Sequence, residues 1–299
     1  MKISDAFDAY TADVASVHSY RAAIQDAADR EFAHLKEQET RRQQANLSPS
    51  HIVGMQNLCF RTADTGRHHF YAFKDVTIQA QIDALVRRTN RQYQWLLAEA
   101  YELFEDFLEN AYACAALENK NLWPLRDFGA LTFDELASVT FDKLLEQAKS
   151  KKDKPQSLLH PLREKLHRMK VLETRNSLNT NLWFKINFIE KLRHHIVHTR
   201  GAVADKQQFA KDLLSKIGLY NSGKPEKEYL ELIDTYVRPD GDAHVVRLLD
   251  VALPAEGPFA VHLDIFDDLS DGLLAYAHLL TTCFAPVESK QPNTQKNGT

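Results

Sequence analysis

The residues best suited to chemistry lie together in the stretch 181–201, which reads NLWFKINFIEKLRHHIVHTRG. It contains Arg193 and, within the next five positions, the three histidines His194, His195 and His198. A histidine changes its charge near neutral pH, so it can both accept and donate a proton. An arginine keeps its charge and binds carboxylates or phosphates through a planar fork of donors. These residue types therefore indicate acid–base chemistry at an anionic group.

Apolar residues at three- and four-residue spacing predict that this stretch is an amphipathic helix ending before Gly201. The apolar positions are Leu182, Ile186, Ile189, Leu192 and Ile196. At about 100° per residue, Arg193 points toward the apolar face, whereas His194 and His198 share a separate polar stripe. Because an arginine cannot lose its charge, burial there requires a carboxylate, a carbonyl or a phosphate as its partner.

The order Arg193, polar His194, three further residues and His198, followed by Gly201, resembles the R-x(4–6)-H motif of HEPN domains. HEPN domains are helical bundles found in many prokaryotic toxins and defence proteins, and many are metal-independent ribonucleases. The resemblance covers roughly residues 91–285 and is specific at the motif and at the helix that carries it. It implies that His198 is the acid–base residue and that Arg193 stabilises the charge on the scissile phosphate. His194 fills the polar place after the arginine.

The resemblance also implies an activity and a set of partners. The expected function is a metal-independent endoribonuclease that cleaves RNA by attack of the 2′-oxygen, leaves a 2′,3′-cyclic phosphate, and needs no cofactor and no metal. Two motifs facing each other across a homodimer would form one cleft. A toxin or phage-defence role would add an antitoxin or another protein as partner.

Three other interpretations stay open. Basic residues often end a helix because cations favour its C-terminal dipole, and that alone explains a cluster from Arg193 to Arg200. Zinc bound by His194 and His198 lacks an evident third ligand within the helix. The chief alternative is a non-catalytic HEPN-like module that binds nucleotides or a partner protein, with the long N-terminal helix as its interaction arm.

The composition is that of an ordinary globular protein, with 44% hydrophobic and 26% charged residues among 299. No apolar run approaches the length that spans a bilayer, and the N-terminus lacks a basic region followed by an apolar one. We therefore expect a cytoplasmic protein without membrane contact. The three cysteines are widely spaced among apolar neighbours, which favours buried free thiols.

The charge is distributed unevenly along the chain. A net charge of −4 argues against a protein that coats nucleic acid. The segment 147–200, however, holds thirteen Lys or Arg against four Asp or Glu, an excess of nine positive charges around the motif. Such a local excess would favour an RNA substrate. A solvated lysine loop explains residues 149–154 equally well.

The remaining pattern predicts a mainly all-α fold, an HEPN-like bundle with a long N-terminal helix and a small inserted β-hairpin at about 244–264. We expect residues 1–90 to form the long helix and a region of irregular structure and short strands. Residues 91–285 would form the HEPN-like domain and 286–299 a disordered tail.

Individual elements follow from caps and breakers. A capping box at Thr132 and Glu135 should begin a helix reaching Lys149, and Thr180 should cap the motif helix. The further helices are expected at 4–45, 76–118, 158–172, 205–217, 225–237 and 266–284. The helix at 76–118 carries Glu99, Glu102, Asp106 and Glu109 on its polar face and could supply a carboxylate to Arg193.

Overall fold

Two long antiparallel helices form the spine of the computed structural model, which describes residues 1–129, 131–221, 224–253 and 261–284. Helix α1 (Ile3–Gln44) and helix α2 (Ile78–Glu118) pack along each other. Their direction follows from the paired residues, since Tyr93 in α2 donates to Gln25 in α1 and Tyr10 stacks on Phe107. The prediction of two long helices is confirmed, because neither stretch contains a proline or glycine to break it.

Shorter helices surround this pair. They are α3 (Phe133–Ala137), α4 (Phe141–Ser150), α5 (Gln156–Lys165), α6 (His167–Leu172), α7 (Leu182–Thr199), α8 (Lys206–Lys216), α9 (Lys227–Tyr236) and α10 (Ile265–Phe284). The strands are β1 (Gly54–Arg61), β2 (His68–Val76), β3 (Ala202–Val203), β4 (Tyr220–Asn221), β5 (Lys224–Pro225), β6 (Val237–Asp240), β7 (Ala243–Val246), β8 (Val251–Leu253) and β9 (Val261–Leu263). All their pairings are antiparallel.

The core lies where α2 packs against α7 and α10. Tyr93, Leu97 and Phe104 of α2 are fully buried, as are Ile189 in α7 and Tyr276 in α10. Each such apolar side chain stabilises the fold by about 1.5–3 kcal/mol relative to exposure. This packing fixes the orientation of α7 and therefore of the motif that it carries.

The hairpin β1–β2 projects from the far end of the α1–α2 pair. The sequence predicted irregular structure and short strands after the long helix, and the structure shows one antiparallel hairpin there. Its apolar residues are exposed on both faces, including Phe60, Phe70 and Phe73. The expectation of buried thiols is wrong here, because Cys59 is exposed on β1.

Several expected boundaries are corrected by the structure. The predicted helix from Thr132 to Lys149 is divided into α3 and α4, because Thr140 caps a second helix by accepting from Lys143 N. The predicted helix at 158–172 is divided at Leu166, whose ψ of 77° is not helical. The capping box at Thr132 and the cap at Asp205 are confirmed.

The prediction of a single inserted hairpin at 244–264 is wrong, because this region is divided between two sheets. Strands β8 and β9 do pair with each other. Residues 243–246, however, belong to a three-stranded sheet in the order β3-β7-β6, because β7 turns back directly onto β6. The fold is mainly helical, as expected, with four small sheets among the described residues.

The remaining domain predictions are not settled by the fold. Helix α2 runs without interruption through residue 90, where the two regions were predicted to divide, and that division stays a prediction. The predicted tail at 286–299 lies outside the described residues. Within the described ranges, no helix has both the length and the apolar character needed to cross a bilayer.

Candidate functional site

Helix α7 carries the motif and is defined by a cap at each end. Asn181 accepts from Phe184 N at 2.9 Å, so the N-cap is Asn181 and the prediction of Thr180 is wrong by one residue. At the other end Arg200 adopts the left-handed conformation with φ 58°, and Gly201 follows with φ 83°. Gly201 N donates to His195 O at 2.8 Å, which satisfies one of the last helical carbonyls. The predicted stop at Gly201 is confirmed.

The end of α7 is held in place by α2 and β7. Gln94 donates to Val246 O at 2.6 Å, and Asn90 donates to the same oxygen at 3.0 Å. Val246 N in turn donates to Gly201 O at 2.9 Å. Gln94 is buried and lies so close to Gly201 that a Cβ at this position would force its amide to shift. The last turn of α7, which contains His198, therefore has a fixed position.

Arg193 has the carboxylate partner that its place on the helix required. Its Nη2 donates to Glu102 Oε1 at 2.6 Å, so the sequence-based expectation of a carboxylate from α2 is confirmed. Arg193 Nε is buried and has no hydrogen-bond partner among the described residues. Burial raises the pKa of the neighbouring Glu105, whose carboxylate Arg193 also stabilises. Arg193 thus lies at an acidic part of the α2 surface.

His194 and His198 lie side by side on the exposed face of α7. Their ring centroids are 4.6 Å apart, as the four-residue spacing predicted. Partial burial lowers the pKa of His194, and the nearby His198, His195 and Arg193 lower it further. His194 therefore favours its neutral form and can accept a proton. Arg193 is close enough to act on His194 electrostatically, although its guanidinium is bonded to Glu102.

His195, the histidine between them, has a structural place. Its Nδ1 lies 3.0 Å from Ala202 O, and its ring lies 5.3 Å from that of Phe209 in α8. It therefore joins α7 to the chain that follows, while its ring also meets that of His194 edge-on with centroids 5.8 Å apart.

The depressed pKa of His194 gives a testable pH dependence. We expect its imidazole to titrate below 6.5, and we expect His198→Asn to raise that midpoint in part, because one neighbouring positive charge is removed while burial remains. Since the folded state disfavours protonated His194, its contribution to stability is present above the unfolded pKa and is lost as the pH falls through the folded pKa. A histidine-resolved NMR titration of both proteins measures this. An unchanged midpoint would contradict the coupling.

The fold neutralises part of the positive charge of segment 147–200. Six of its basic residues form ion pairs: Lys151–Asp127, Lys154–Glu109, Arg163–Glu173, Lys185–Asp268, Lys191–Asp212 and Arg193–Glu102. Five of these acidic partners come from other parts of the chain. The excess of positive charge on the surface of this segment is therefore smaller than its sequence suggests.

Sequence reasoning missed a second cluster of cations, close to the end of α7. A cavity of about 570 Å³ lies between α2 and the sheet β3-β7-β6. Four arginines line it: Arg87, Arg91, Arg200 and Arg247. Two of them lie one turn apart on α2, and the other two lie more than a hundred residues further along the chain, so no local spacing pattern could indicate the group.

The metal interpretations gain no ligands from the fold. Within the described parts of the chain, no group of three or more His, Cys, Asp and Glu side chains is arranged to hold a metal ion. In the acidic stripe of α2, Glu102 pairs with Arg193, and Glu109 pairs with Lys154.

Comparison with known proteins adds no family assignment. The chain matches no family model, no curated protein and no solved structure.

Proposed function

We propose that this protein is a metal-independent endoribonuclease of the HEPN type, in which the end of α7 forms the catalytic surface. The observation that carries the proposal is the exposed pair of His194 and His198, whose rings lie 4.6 Å apart beside a cation. Two imidazoles at this distance can divide the two proton transfers of an RNA cleavage between them.

The reaction balances with these groups alone. The ribose 2′-oxygen attacks phosphorus as its proton passes to a neutral imidazole, for which the lowered pKa suits His194. The bond to the 5′-oxygen breaks, and that oxygen takes a proton from His198. The products are a 2′,3′-cyclic phosphate and a 5′-hydroxyl. Arg193 would offset the charge that develops on the phosphate oxygens.

Arg193 must exchange Glu102 for the phosphate in this scheme. Glu102 is 58% exposed and Arg193 28% exposed, so the carboxylate can leave into solvent; a solvent-accessible ion pair contributes about 0–1 kcal/mol, and the exchange costs little. We therefore expect Glu102→Gln to raise the rate of RNA cleavage several-fold while it changes the free energy of unfolding by less than about 1 kcal/mol. Initial rates and urea unfolding measure the two effects. A fall in rate would show that Glu102 assists Arg193 instead of competing for it.

The decisive assay is incubation with RNA in EDTA. Wild type should cleave, and His198→Ala should lose about 10²–10⁴-fold in rate, the range for a general acid–base residue. Arg193→Ala should also lose activity. His160→Ala is the matched control, because His160 is an exposed helical histidine whose described partner is Glu164. Loss of wild-type cleavage in EDTA would indicate a metal site instead.

The homodimer is part of the proposal. A single copy presents one His194–His198 pair, and two copies facing each other would provide a groove for an RNA strand. Sedimentation equilibrium tests this, with a monomer at all concentrations as the opposing result. A role in defence and an antitoxin partner would follow from the same resemblance.

A second candidate function is favoured by the hairpin β1–β2. Its exposed apolar residues, which include Met55, Phe70 and Phe73, are unusual for a two-stranded hairpin, which is marginally stable alone in water. This favours the alternative of a non-catalytic module that binds a protein partner. Absence of cleavage by wild type on every RNA tested would support that alternative.

A further inference from the structure

The cavity between α2 and the sheet β3-β7-β6 combines a size and a charge that fit a nucleotide unit. Its volume of about 570 Å³ falls within the range of ligand sites, roughly 300–1,000 Å³. The charged residues that line it are Asp83, Arg87, Arg91, Arg200, Asp240 and Arg247. Positive charge therefore predominates in a concave site, although the chain as a whole is acidic.

None of these four arginines has an acidic partner. Within the described ranges they make no ion pair, whereas six basic residues of segment 147–200 do. Arg88, the neighbour of Arg87 in the sequence, points the other way and pairs with Glu31. Four cations without a carboxylate partner thus line one cavity.

Like charges are held close together there. Burial lowers the pKa of Arg91, and the nearby charge of Arg200 lowers it further. Burial and the charge of Arg247 act in the same way on the pKa of Arg238, which lies in β6 beside the cavity. Such repulsion is relieved when an anion binds, so the site is better suited to an occupied state than to an empty one.

A side-chain hydrogen bond and an aromatic residue add to the site. Arg91 donates to Gln94 Oε1 at 2.8 Å, and its guanidinium lies 5.3 Å from the centroid of the Trp95 ring. The Trp95 side chain is 59% exposed, so its ring is available for a base to stack on. A phosphate in the cavity would pair with its arginines, and a base attached to that phosphate would stack on the exposed ring of Trp95.

We propose that this cavity is a phosphate-binding site for a nucleotide unit, with Arg87, Arg91, Arg200 and Arg247 as its cationic groups. The site goes beyond the proposed function, because it does not require the histidines to be catalytic. Arginine is suited to phosphate because its donors match two phosphate oxygens at once. The nucleotide unit can belong to an RNA strand or be a free nucleotide.

The test measures binding by the full-length chain that carries His198→Ala, so that cleavage cannot consume the RNA. The probes are a fluorescent single-stranded RNA, AMP and inorganic phosphate. Arg247→Ala and Arg200→Gly should each weaken RNA binding by about tenfold, the effect of one lost charge-assisted contact. The dependence of affinity on salt should fall by about 0.7 in logarithmic slope for each phosphate contact.

The control is Arg126→Ala, which removes the same charge from an exposed side chain on the short 3₁₀ helix Leu125–Phe128. Glycine is chosen at position 200 because the left-handed φ of 58° favours it, so folding is preserved. Circular dichroism confirms the fold of each variant.

The two sources of phosphate give different results. A strand is indicated if the arginine variants weaken RNA binding and AMP does not compete. A free nucleotide is indicated if AMP binds, the variants abolish that binding and RNA affinity is unchanged. Equal binding of all probes by the arginine variants and by Arg126→Ala would overturn the proposal. If the wild type binds RNA but does not cleave it, the proposed ribonuclease activity is overturned while the proposed phosphate-binding site is retained.

Discussion

Replacement of Glu173 by alanine is expected to destabilise the protein by about 3–5 kcal/mol, the range for removing one partner of a buried ion pair. Glu173 is completely buried and accepts from Arg163 Nε at 2.9 and 2.8 Å and from Tyr276 at 2.6 Å. Arg163 also lies 3.6 Å from the centroid of the Trp183 ring. The variant would leave the guanidinium and a buried hydroxyl without their acceptor, because no other carboxylate pairs with Arg163 in the described structure.

The same residue also connects the stability of the fold to the position of α7. Leu182 N donates to Glu173 O at 2.8 Å, so the turn before α7 begins on this residue. Glu164→Ala is the matched control, since Glu164 is 65% exposed and its ion pair with His160 contributes at most about 1 kcal/mol. Urea unfolding measures both variants. Similar losses for the two would contradict the assignment of Glu173 as a buried anchor.

Replacement of Gly201 by alanine has the second large effect, a loss of about 2–5 kcal/mol. The left-handed φ of 83° costs an alanine about 1–2 kcal/mol. A Cβ at this position would lie 2.5 Å from Gln94 Nε2, so the buried amide would have to leave Val246 O. An unsatisfied buried polar group costs about 1–3 kcal/mol more. The end of α7 would shift together with His198.

A double-mutant cycle separates these two contributions. In a Gln94→Ala background there is no amide to displace, so Gly201→Ala should cost only the conformational term of about 1–2 kcal/mol. Asn90 still donates to Val246 O at 3.0 Å in that background. If Gly201→Ala costs the same with and without Gln94, then the close approach of Gln94 has no energetic effect.

Local signals in the sequence predicted much of the helical structure. The absence of Pro and Gly predicted α1, and the capping residues Thr132 and Asp205 predicted the starts of α3 and α8. The stretch TFDELASVTFD, however, contains a second cap at Thr140. The helical pattern continues through this position, so the sequence predicted one helix instead of two. Breaks of this kind depend on which of two competing local hydrogen bonds is made.

Long-range pairing accounts for what the sequence could not predict. The position of Arg193 near the apolar face of α7 required a carboxylate, a carbonyl or a phosphate as its partner, but only the packing of α2 on α7 selects Glu102. In the same way, the excess charge of segment 147–200 could not indicate which lysines are paired. The strand at 243–246 was assigned to the wrong partner because β-pairing depends on the chain that lies alongside, and not on alternation alone.

The measurement that tests the catalytic claim most directly is an analysis of the RNA fragments produced in EDTA. The substrate is compared with one that carries a single 2′-deoxy nucleotide at the cleavage position. We predict a 2′,3′-cyclic phosphate on one fragment and a 5′-hydroxyl on the other, no cleavage at the 2′-deoxy position, and no fragments with His198→Ala. Cleavage at the deoxy position, or a 5′-phosphate on the product, would show that the His194–His198 pair does not act on the ribose 2′-hydroxyl.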